Sequence, residues 1–261
     1  MASLSLEEII PRRTISKKTT PQPLQIALKT IFSESGEGLW LVGGTALAGY
    51  YAEHRRSDDL DLFAMDTDAH RSAVLAVKNL KRRGVVFKKE TSTPNFYKAH
   101  LELEAYFFTV DIVLDENLHR VGRAIRTEDG VFVVDLPTLF SMKVACLLTR
   151  CSEKDLYDLV WCFDRQGEID VGEIVKMGLR VDGGMNVEGM LVSLQGATLR
   201  EEACHFLLDN SKANVRTAYQ QIVGLQKKLI QLLLDYEKRK PLSPETKALL
   251  QAVRDQKRLK K

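Results

Sequence analysis

The chain has 261 residues, enough for one large domain or two modest ones, and its net charge at neutral pH is only +3. Hydrophobic residues make up 44% of the sequence and charged residues 28%, which excludes a disordered or low-complexity chain. No stretch approaches the roughly 20 apolar residues that a membrane-spanning helix needs, and the first residues show no secretory signal. We therefore expect a cytoplasmic protein with no membrane partner.

The four cysteines support the same expectation. Cys146, Cys151, Cys162 and Cys204 show neither the C-x-x-C spacing of metal sites nor a nearby pattern of histidines. We expect them to be reduced and packed in helices rather than to form disulfides or to bind a metal.

Two halves of different character follow one another along the chain. Residues 1–21 are polar and contain prolines, and we predict a flexible arm there. Hydrophobic periodicity then predicts helices over 23–32, 46–53 and 69–83 and strands over 39–42, 60–64, 85–89, 96–102, 105–114 and 131–134. From residue 136 onward it predicts only helices, over 136–149, 154–163, 171–177, 187–210, 212–236 and 244–260. The predicted fold class is α+β, with a mixed-sheet domain over residues 1–135 and an all-helical domain over residues 136–261.

Basic residues concentrate near the two ends of the sequence. The N-terminal segment carries Arg12, Arg13, Lys17 and Lys18, and residues 238–261 contain nine lysines or arginines. Such segments could follow the phosphate backbone of an RNA. The alternative is a solvated helix face, and few aromatic side chains lie among these basic residues to stack on bases.

The most informative residues follow the first predicted strand and lie on the second. Gly43, Gly44 and Thr45 form a Gly-Gly turn, in which backbone N–H groups can approach a phosphate closely. Asp59 and Asp61 are two positions apart on the next strand, so both carboxylates project from one face. Adjacent carboxylates repel each other unless a cation lies between them, and Mg²⁺ prefers oxygen ligands. The pattern therefore predicts a phosphate-binding turn beside a metal site.

Asp111 is a third acid in an unusual position. It lies in the most apolar predicted strand, where an ionised carboxylate is costly unless it is paired or bound to a metal. Three aspartates on neighbouring strands could hold two Mg²⁺ ions, and Asp111 could also accept a proton. Two alternatives remain, because the sequence does not fix the strand register. Asp111 could pair with a buried Arg or Lys, or the third acid could be Asp115, Glu102 or Glu104.

These residues resemble the polymerase-β-type nucleotidyltransferases. Within that superfamily, the segment 54–63 is similar to the first motif of the AbiEii-type toxins, the nucleotidyltransferase toxins of type IV toxin–antitoxin and phage abortive-infection systems. A second match combines the helical Lys143 with the Lys-Asp-x-x-Asp-Leu element over 154–159. The resemblance covers about residues 40–165. It implies a polymerase-β-like nucleotidyltransferase domain followed by a helical half.

The resemblance also implies roles for single residues. Asp59, Asp61 and Asp111 would ligate Mg²⁺, and together with Lys143 and Asp155 they would form the catalytic set. The residues that would bind the nucleotide, chiefly at its phosphates, are Gly43, Gly44, Thr45, Arg55, Ser57 and Lys143. Asp158 would fix its helix.

The second motif also has an interpretation that does not depend on the family. Lys143 and Arg150 lie two helical turns apart and share one helix face, while Asp155 and Asp158 share a face of the next helix. A basic stripe could therefore meet an acidic pair in an ordinary network of salt bridges between helices.

The implied activity is transfer of a nucleotide from an NTP to an acceptor, with pyrophosphate as the leaving group. Our first hypothesis is a toxin that modifies the 3′ end of tRNA and could have a cognate antitoxin as partner. The acceptor could instead be a protein or a small molecule, although the basic C-terminal half argues mildly against a cationic drug. A non-catalytic nucleotide-binding member is the third hypothesis. Three costly aspartates argue against it, because a binding module has no need of them.

Overall fold

The computed structural model describes residues 6–239, and in this range a mixed sheet is combined with helices. The strands are β1 (Leu39–Val42), β2 (Asp59–Ala64), β3 (Val86–Thr93), β4 (Phe96–Leu103), β5 (Tyr106–Leu114), β6 (Ala124–Arg126) and β7 (Phe132–Val134). The helices are α1 (Gln22–Ser35), α2 (Gly43–Ala46), α3 (Thr67–Asn79), α4 (Leu118–Val121), α5 (Leu136–Thr149), α6 (Glu153–Gln166), α7 (Val171–Val181), α8 (Val187–Gly196) and α9 (Lys212–Arg239). The predicted α+β class, with a helical C-terminal part, is confirmed.

The sheet has the strand order β3-β4-β5-β2-β1-β7-β6. β3, β4 and β5 form an antiparallel meander, and β5 then pairs in parallel with β2. β1 runs antiparallel to β2 and parallel to β7. Although β3 and β4 separate them along the chain, β2 and β5 are therefore direct neighbours in the middle of the sheet.

The two faces of the central strands differ in polarity. Leu60, Leu62, Val110 and Ile112 are fully buried. Because side chains alternate along a strand, the residues between them project from the other face, which is only partly buried. Helix α3 contacts β2 and β5, and α1 packs on α3. These helices cover the apolar face and leave the other face available for a site.

The helical part begins directly after the sheet. Asp135 caps α5 by accepting a hydrogen bond from the backbone N–H of Thr138 at 2.9 Å, and Pro137 lies in the first turn, where it costs no backbone hydrogen bond. Helix α5 contacts α6, α7 and α8, and α9 packs on α6 and α8. One buried apolar cluster runs from the strands into these helices. The boundary that we predict at residue 135 therefore lies between β7 and α5, within a continuous core.

The predicted flexible arm over residues 1–21 needs correction in the part that the structure describes. Ile15 is buried, and the backbone N–H of Ser16 donates to the carbonyl of Gly49 at 2.9 Å. The carbonyl of Thr19 accepts from the backbone N–H of Ser57 at 3.1 Å. One apolar side chain and several backbone hydrogen bonds thus hold this segment on the body of the protein. Its polar composition concealed these contacts.

The basic residues proposed for an RNA backbone have mixed outcomes. Arg12 pairs with Glu53 at 2.7 Å and Arg13 pairs with Glu128 at 3.2 Å, so neighbouring acids already compensate both arginines. Lys17 and Lys18 are exposed. The basic residues from position 240 onward, and the helix predicted over 244–260, lie outside the described residues.

Several element boundaries differ from the prediction. The helix predicted from residue 46 begins instead at Gly43 and continues as a π-helical turn over Leu47–Ala52. The single helix predicted over 187–210 ends at Gly196 and is followed by a short 3-10 turn at Glu201–Cys204. The short elements α4 and β6 were not predicted, since three or four residues give too little periodicity to detect.

The expectation that the cysteines are packed in helices is met only in part. Cys146 and Cys162 lie in α5 and α6, but Cys151 lies between these two helices and Cys204 in the 3-10 turn. All four cysteines are free, and Cys162 and Cys204 are buried. None of the helices in the described part of the chain is both long and apolar enough to cross a membrane.

Candidate active site

The three predicted metal ligands lie side by side on the partly exposed face of the sheet. Along β2, half-buried and buried side chains alternate, which places Asp59 and Asp61 on the same face. The parallel pairing with β5 sets Asp61 opposite Asp111 and Asp59 opposite Thr109. The sequence left three other acids open as the third ligand, and none of them is paired with Asp59 or Asp61 between β2 and β5: Asp115, Glu102 and Glu104.

A cleft of about 320 Å³ lies over these aspartates. The predicted site residues that line it are Gly44, Arg55, Ser57, Asp59, Asp61, Asp111, Lys143 and Asp155. Further lining residues are Lys98, Thr109, Arg150, Ser152 and Lys154. The sheet supplies an acidic floor, and the helices α5 and α6 with their connection supply a basic wall. Such a cleft can hold cations on one side and phosphates on the other.

The carboxylates of the floor have protein partners. Asp111 Oδ2 accepts a hydrogen bond from Lys98 Nζ at 2.8 Å, and Asp59 Oδ1 accepts one from Thr109 Oγ1 at 2.6 Å. Burial raises the pKa of Asp61, the neighbouring Asp59 and Asp111 raise it further, and Lys143 opposes them. Asp61 is therefore a carboxylate whose ionised form needs a positive charge nearby.

The carboxylate oxygens of the floor are suitable ligands for a divalent cation. As the side chains stand, no group of three or more His, Cys, Asp or Glu within residues 6–239 is arranged to hold a metal ion. Asp111 Oδ1, however, is buried and has no hydrogen-bond partner in the described part of the chain, which is a costly state for a carboxylate oxygen. A cation held by Asp59, Asp61 and Asp111 would satisfy this oxygen.

Gly43 and Gly44 allow the backbone after β1 to approach the site. Gly43 has φ +68°, and a Cβ at this position would lie 2.0 Å from Asp61 Oδ2. A Cβ at Gly44 would lie 2.6 Å from Arg55 Nη2. The structure therefore explains both glycines by close contact with charged side chains of the cleft. Contact between this turn and a phosphate, as predicted, remains a prediction.

Thr45 has a different place from the one predicted. It is fully buried and does not line the cleft. Its hydroxyl lies 2.8 Å from Ser57 Oγ and also hydrogen-bonds the backbone carbonyl of Asp59. Thr45 thus fixes the turn to the start of β2, and of these two hydroxyl residues only Ser57 faces the cleft.

Asp158 is the centre of a buried ion network behind the basic wall. Its Oδ1 accepts a hydrogen bond from Arg55 Nε at 2.6 Å, and its Oδ2 accepts one from Arg55 Nη2 at 2.8 Å and lies 2.8 Å from Lys143 Nζ. His54 Nε2 lies 2.7 Å from Asp158 Oδ1. Burial alone would raise the pKa of Asp158, but Arg55 and Lys143 hold it well below its usual range. Asp158 is therefore an ionised hub that orients two cations.

Asp155 extends this network to the mouth of the cleft. Lys143 Nζ lies 3.1 Å from its Oδ1, and Arg150 Nε lies 3.2 Å from its Oδ2. Ser152 Oγ donates to Asp155 at 2.7 Å and also accepts from its backbone N–H, which caps α6. Burial would raise the pKa of Asp155, but Lys143 and Arg150 lower it. The predicted salt-bridge network between helices is thus present, and its cations also line the cleft.

His54 supports the network from the side away from the cleft. Its ring stacks on Tyr157 at 5.5 Å between centroids and lies 6.0 Å from Trp161. Burial lowers the pKa of His54, while its hydrogen bond with Asp158 opposes this shift. A neutral ring that donates through Nε2 fits these surroundings, because Nδ1 is buried without a partner and a second proton there would have no acceptor.

A second, more apolar pocket of about 450 Å³ adjoins the cleft. It shares Asp61, Lys143 and Arg150 with the cleft, and Phe63 and Leu139 belong to its apolar lining. An apolar cavity beside a charged cleft can accept a flat ring while the charged groups bind its substituents.

Two important site residues were missed or undervalued in the sequence. Lys98 was missed because its contact with Asp111 depends on the pairing of β4 with β5, which periodicity does not fix. The alternation of Lys98 with the buried Tyr97 was the available signal that it faces the same side as Asp111. Asp158 was expected only to fix its helix, and the structure makes it the hub for Arg55 and Lys143.

Comparisons with known proteins identify a family and several similar structures. The profile of the family described as "Nucleotidyl transferase AbiEii toxin, Type IV TA system" matches residues 26–181, more than half of the chain. The structure is similar to the nucleotidyltransferase toxin MenT4 (Rv2826c) of Mycobacterium tuberculosis H37Rv, with 15% identity and a TM-score of 0.50 over 80% of this chain and 85% of that chain. It also matches JHP933 from Helicobacter pylori, with 13% identity and a TM-score of 0.44 over 81% and 90% of the two chains. No curated protein matches the sequence.

Proposed function

The chain belongs to the AbiEii family of nucleotidyltransferase toxins, and from this premise we propose that it transfers a nucleotide from an NTP to the 3′ end of tRNA. The observation that supports the proposal most strongly is the strand register that brings Asp61 beside Asp111, under a wall of basic side chains. In this reaction the 3′ hydroxyl oxygen bonds to the α-phosphorus of the NTP. The bond between the α-phosphorus and the oxygen that bridges it to the β-phosphorus breaks, and pyrophosphate leaves.

The floor of the cleft is proposed to hold the metal. Asp59, Asp61 and Asp111 are the ligands, and Mg²⁺ is the cation that best suits their oxygen atoms. When bound, such a cation neutralises phosphate charge and lowers the pKa of an attacking hydroxyl. Asp111 is also the candidate to accept the proton of that hydroxyl, because its carboxylate lies beside Asp61 on the floor of the cleft.

The basic wall is proposed to bind the triphosphate. Lys143 is nearly buried and held by two aspartates, so it supplies a fixed positive charge at the back of the cleft. Arg150 is more exposed, and Lys154 lines the cleft beside it, so both can reach phosphate oxygens directly. Arg55 and Ser57 line the same cleft near Gly44 and complete the proposed nucleotide site. The adjoining apolar pocket is where we place the base.

The acceptor and the partner are proposed from the family. The description "toxin" suggests an acceptor whose modification stops growth, and tRNA is such an acceptor, located in the cytoplasm. The description "Type IV TA system" leads us to propose a cognate antitoxin as partner. A protein hydroxyl and a small molecule are the competing acceptors.

The test is a labelling assay with each α-³²P-labelled NTP, total tRNA, a cell lysate freed of RNA, and Mg²⁺. We expect label on tRNA with one preferred NTP, and we expect nuclease mapping to place it at the 3′ end. Omission of Mg²⁺ or addition of EDTA should abolish the label. Label on protein alone, or on small molecules alone, would contradict the tRNA proposal.

A further inference from the structure

The open face of the sheet continues beyond the candidate active site as a groove of about 520 Å³. Its lining starts at Asp59 and reaches Lys88 and Lys89 on the edge strand β3. The register places Lys89 opposite His100, His100 opposite Thr109, and Thr109 opposite Asp59. One row of side chains therefore crosses four strands, from the proposed metal site to the edge of the sheet.

The length of this row suits a short segment of single-stranded nucleic acid. Neighbouring strands lie about 4.8 Å apart, so three strand spacings give about 14 Å. This distance equals about four nucleotides at the ~3.4 Å spacing of stacked bases. A 3′ hydroxyl placed over Asp59 would therefore leave the preceding nucleotides along the row.

The groove presents an exposed aromatic ring and lysines, which suit a nucleic acid better than an apolar protein partner. Phe107 is 63% exposed, although it lies within β5, and it forms part of the groove. The ammonium group of Lys88 lies 5.8 Å from the centroid of its ring and 2.5 Å from Glu102. Lys89 is exposed and has no ion-pair partner in the described part of the chain. An exposed ring offers a platform for a base, and an uncompensated lysine beside it offers a contact for a phosphate.

The acids near the groove leave a path for a phosphate backbone. Asp58 already accepts a hydrogen bond from the hydroxyl of Tyr106, and Glu102 is paired with Lys88. The uncompensated positive charge of Lys89 lies at the edge of the sheet, and the carboxylate of Asp59 lies at the other end of the row. This order matches a polynucleotide whose backbone enters over the lysine and whose end reaches the acids.

We infer that this groove, from Lys89 past Phe107 to Asp59, binds the single-stranded 3′ segment of the RNA acceptor. The inference rests on the proposed function, because it assigns a surface to the acceptor of that reaction. Phe107 stacks on a base close to the reacting end, and Lys89 contacts a phosphate farther from it.

The test compares two groove variants with two matched controls. Phe107→Ala is matched with Leu75→Ala, an exposed apolar residue on α3, and Lys89→Ala is matched with Lys29→Ala, an exposed lysine on α1. The probe is a labelled RNA hairpin with a short single-stranded 3′ overhang. Its Kd is measured by fluorescence anisotropy, and the KM values for RNA and for NTP are measured by end labelling.

We expect Phe107→Ala to raise the Kd and the KM for RNA about tenfold, while the KM for NTP stays unchanged. Lys89→Ala should weaken RNA binding and lower the slope of log Kd against log salt by about one. The inference is overturned if both variants bind RNA like the wild type, or if the matched controls lose as much.

The outcomes also separate the two proposals. Wild-type labelling of RNA with unaffected groove variants would overturn the groove and leave the proposed function standing. Labelling of a protein acceptor that the groove variants reduce would assign this face to a protein and overturn both. No transfer by the wild type to RNA, together with no RNA binding, would also overturn both.

Discussion

At the scale of single residues, Gly43 lets the backbone after β1 lie directly against Asp61 of the acidic floor. Its φ of +68° disfavours any side chain, and its missing Cβ leaves room for the Asp61 carboxylate. Gly36 has a similar φ of +76°, but among the described residues no atom beyond its two chain neighbours lies within 4 Å of the position of a Cβ. A comparison of substitutions at the two glycines therefore separates the effect of backbone strain from the effect of crowding at Asp61.

We predict that Gly43→Ala reduces nucleotide transfer at least tenfold, because the added methyl group displaces Asp61 from its place beside Asp111. Both Gly43→Ala and Gly36→Ala should lose about 1–3 kcal/mol of stability from the backbone conformation, since Gly36 also has a ψ of −168° that side chains rarely adopt. Transfer rates and thermal unfolding of the two variants check this. Equal activity of the two variants would show that the position of Asp61 does not depend on Gly43.

Single residues also show what the sequence could and could not predict. The D-x-D spacing was sufficient to place Asp59 and Asp61 on one face, since alternation along a strand is local. Thr45 was interpreted as a nucleotide contact, but its hydroxyl contacts Ser57, twelve positions farther along the chain. Lys98 was missed for the same reason, because its partner lies on another strand. Contacts between elements depend on register, and a local pattern carries no register.

At the scale of elements, α5 and α6 are joined to the segment before β2 through Asp158. This carboxylate is fully buried and contacts both Arg55 and Lys143. Removal of its charge leaves two cations in a buried place without their counter-charge, which costs far more than the loss of an exposed ion pair. The packing of these helices against the cleft thus depends on one ionised side chain.

We predict that Asp158→Asn lowers the free energy of unfolding by about 3 kcal/mol at pH 7. Asp164→Asn, on the exposed face of the same helix, is the control and should change it little. The folded-state pKa of Asp158 is lowered, so its contribution is complete above the unfolded-state pKa of about 3.9 and is lost as the pH falls below that value. The stability difference between wild type and Asp158→Asn should therefore shrink below about pH 4. A difference that is small at pH 7, or constant down to pH 2, would contradict the ion network.

The presence and type of the helices and strands were predicted better than the residues at which they begin and end. The strands β1, β2, β4 and β5 and the helix α5 were recognised because long buried or alternating runs define them. The helix predicted over 187–210 was too long, since the chain becomes extended after Gly196, a helix-stop signal that the prediction passed over. The segment 1–21 was predicted as a flexible arm, although Ile15 anchors its described part. In that segment long-range contacts outweigh a polar composition.

At the scale of the whole molecule, the site lies where the sheet meets the helical part. The sheet brings three aspartates together, and the helices bring Lys143, Arg150 and Lys154 over them. Neither part alone contains both the acidic floor and the basic wall. The family match over residues 26–181 covers both sides of the cleft, which is consistent with a site that needs both.

The most direct test of the central claim is the rate of nucleotide transfer by Asp61→Asn, with the exposed Asp68→Asn as control. We predict a loss of about a thousandfold, equivalent to about 4 kcal/mol of transition-state stabilisation. We also predict a Tm at neutral pH equal to or above that of the wild type, because the folded state raises the pKa of Asp61 and the substitution removes a charge that Asp59 and Asp111 repel. Near-normal transfer by a folded Asp61→Asn protein would contradict the assignment of this face as the active site.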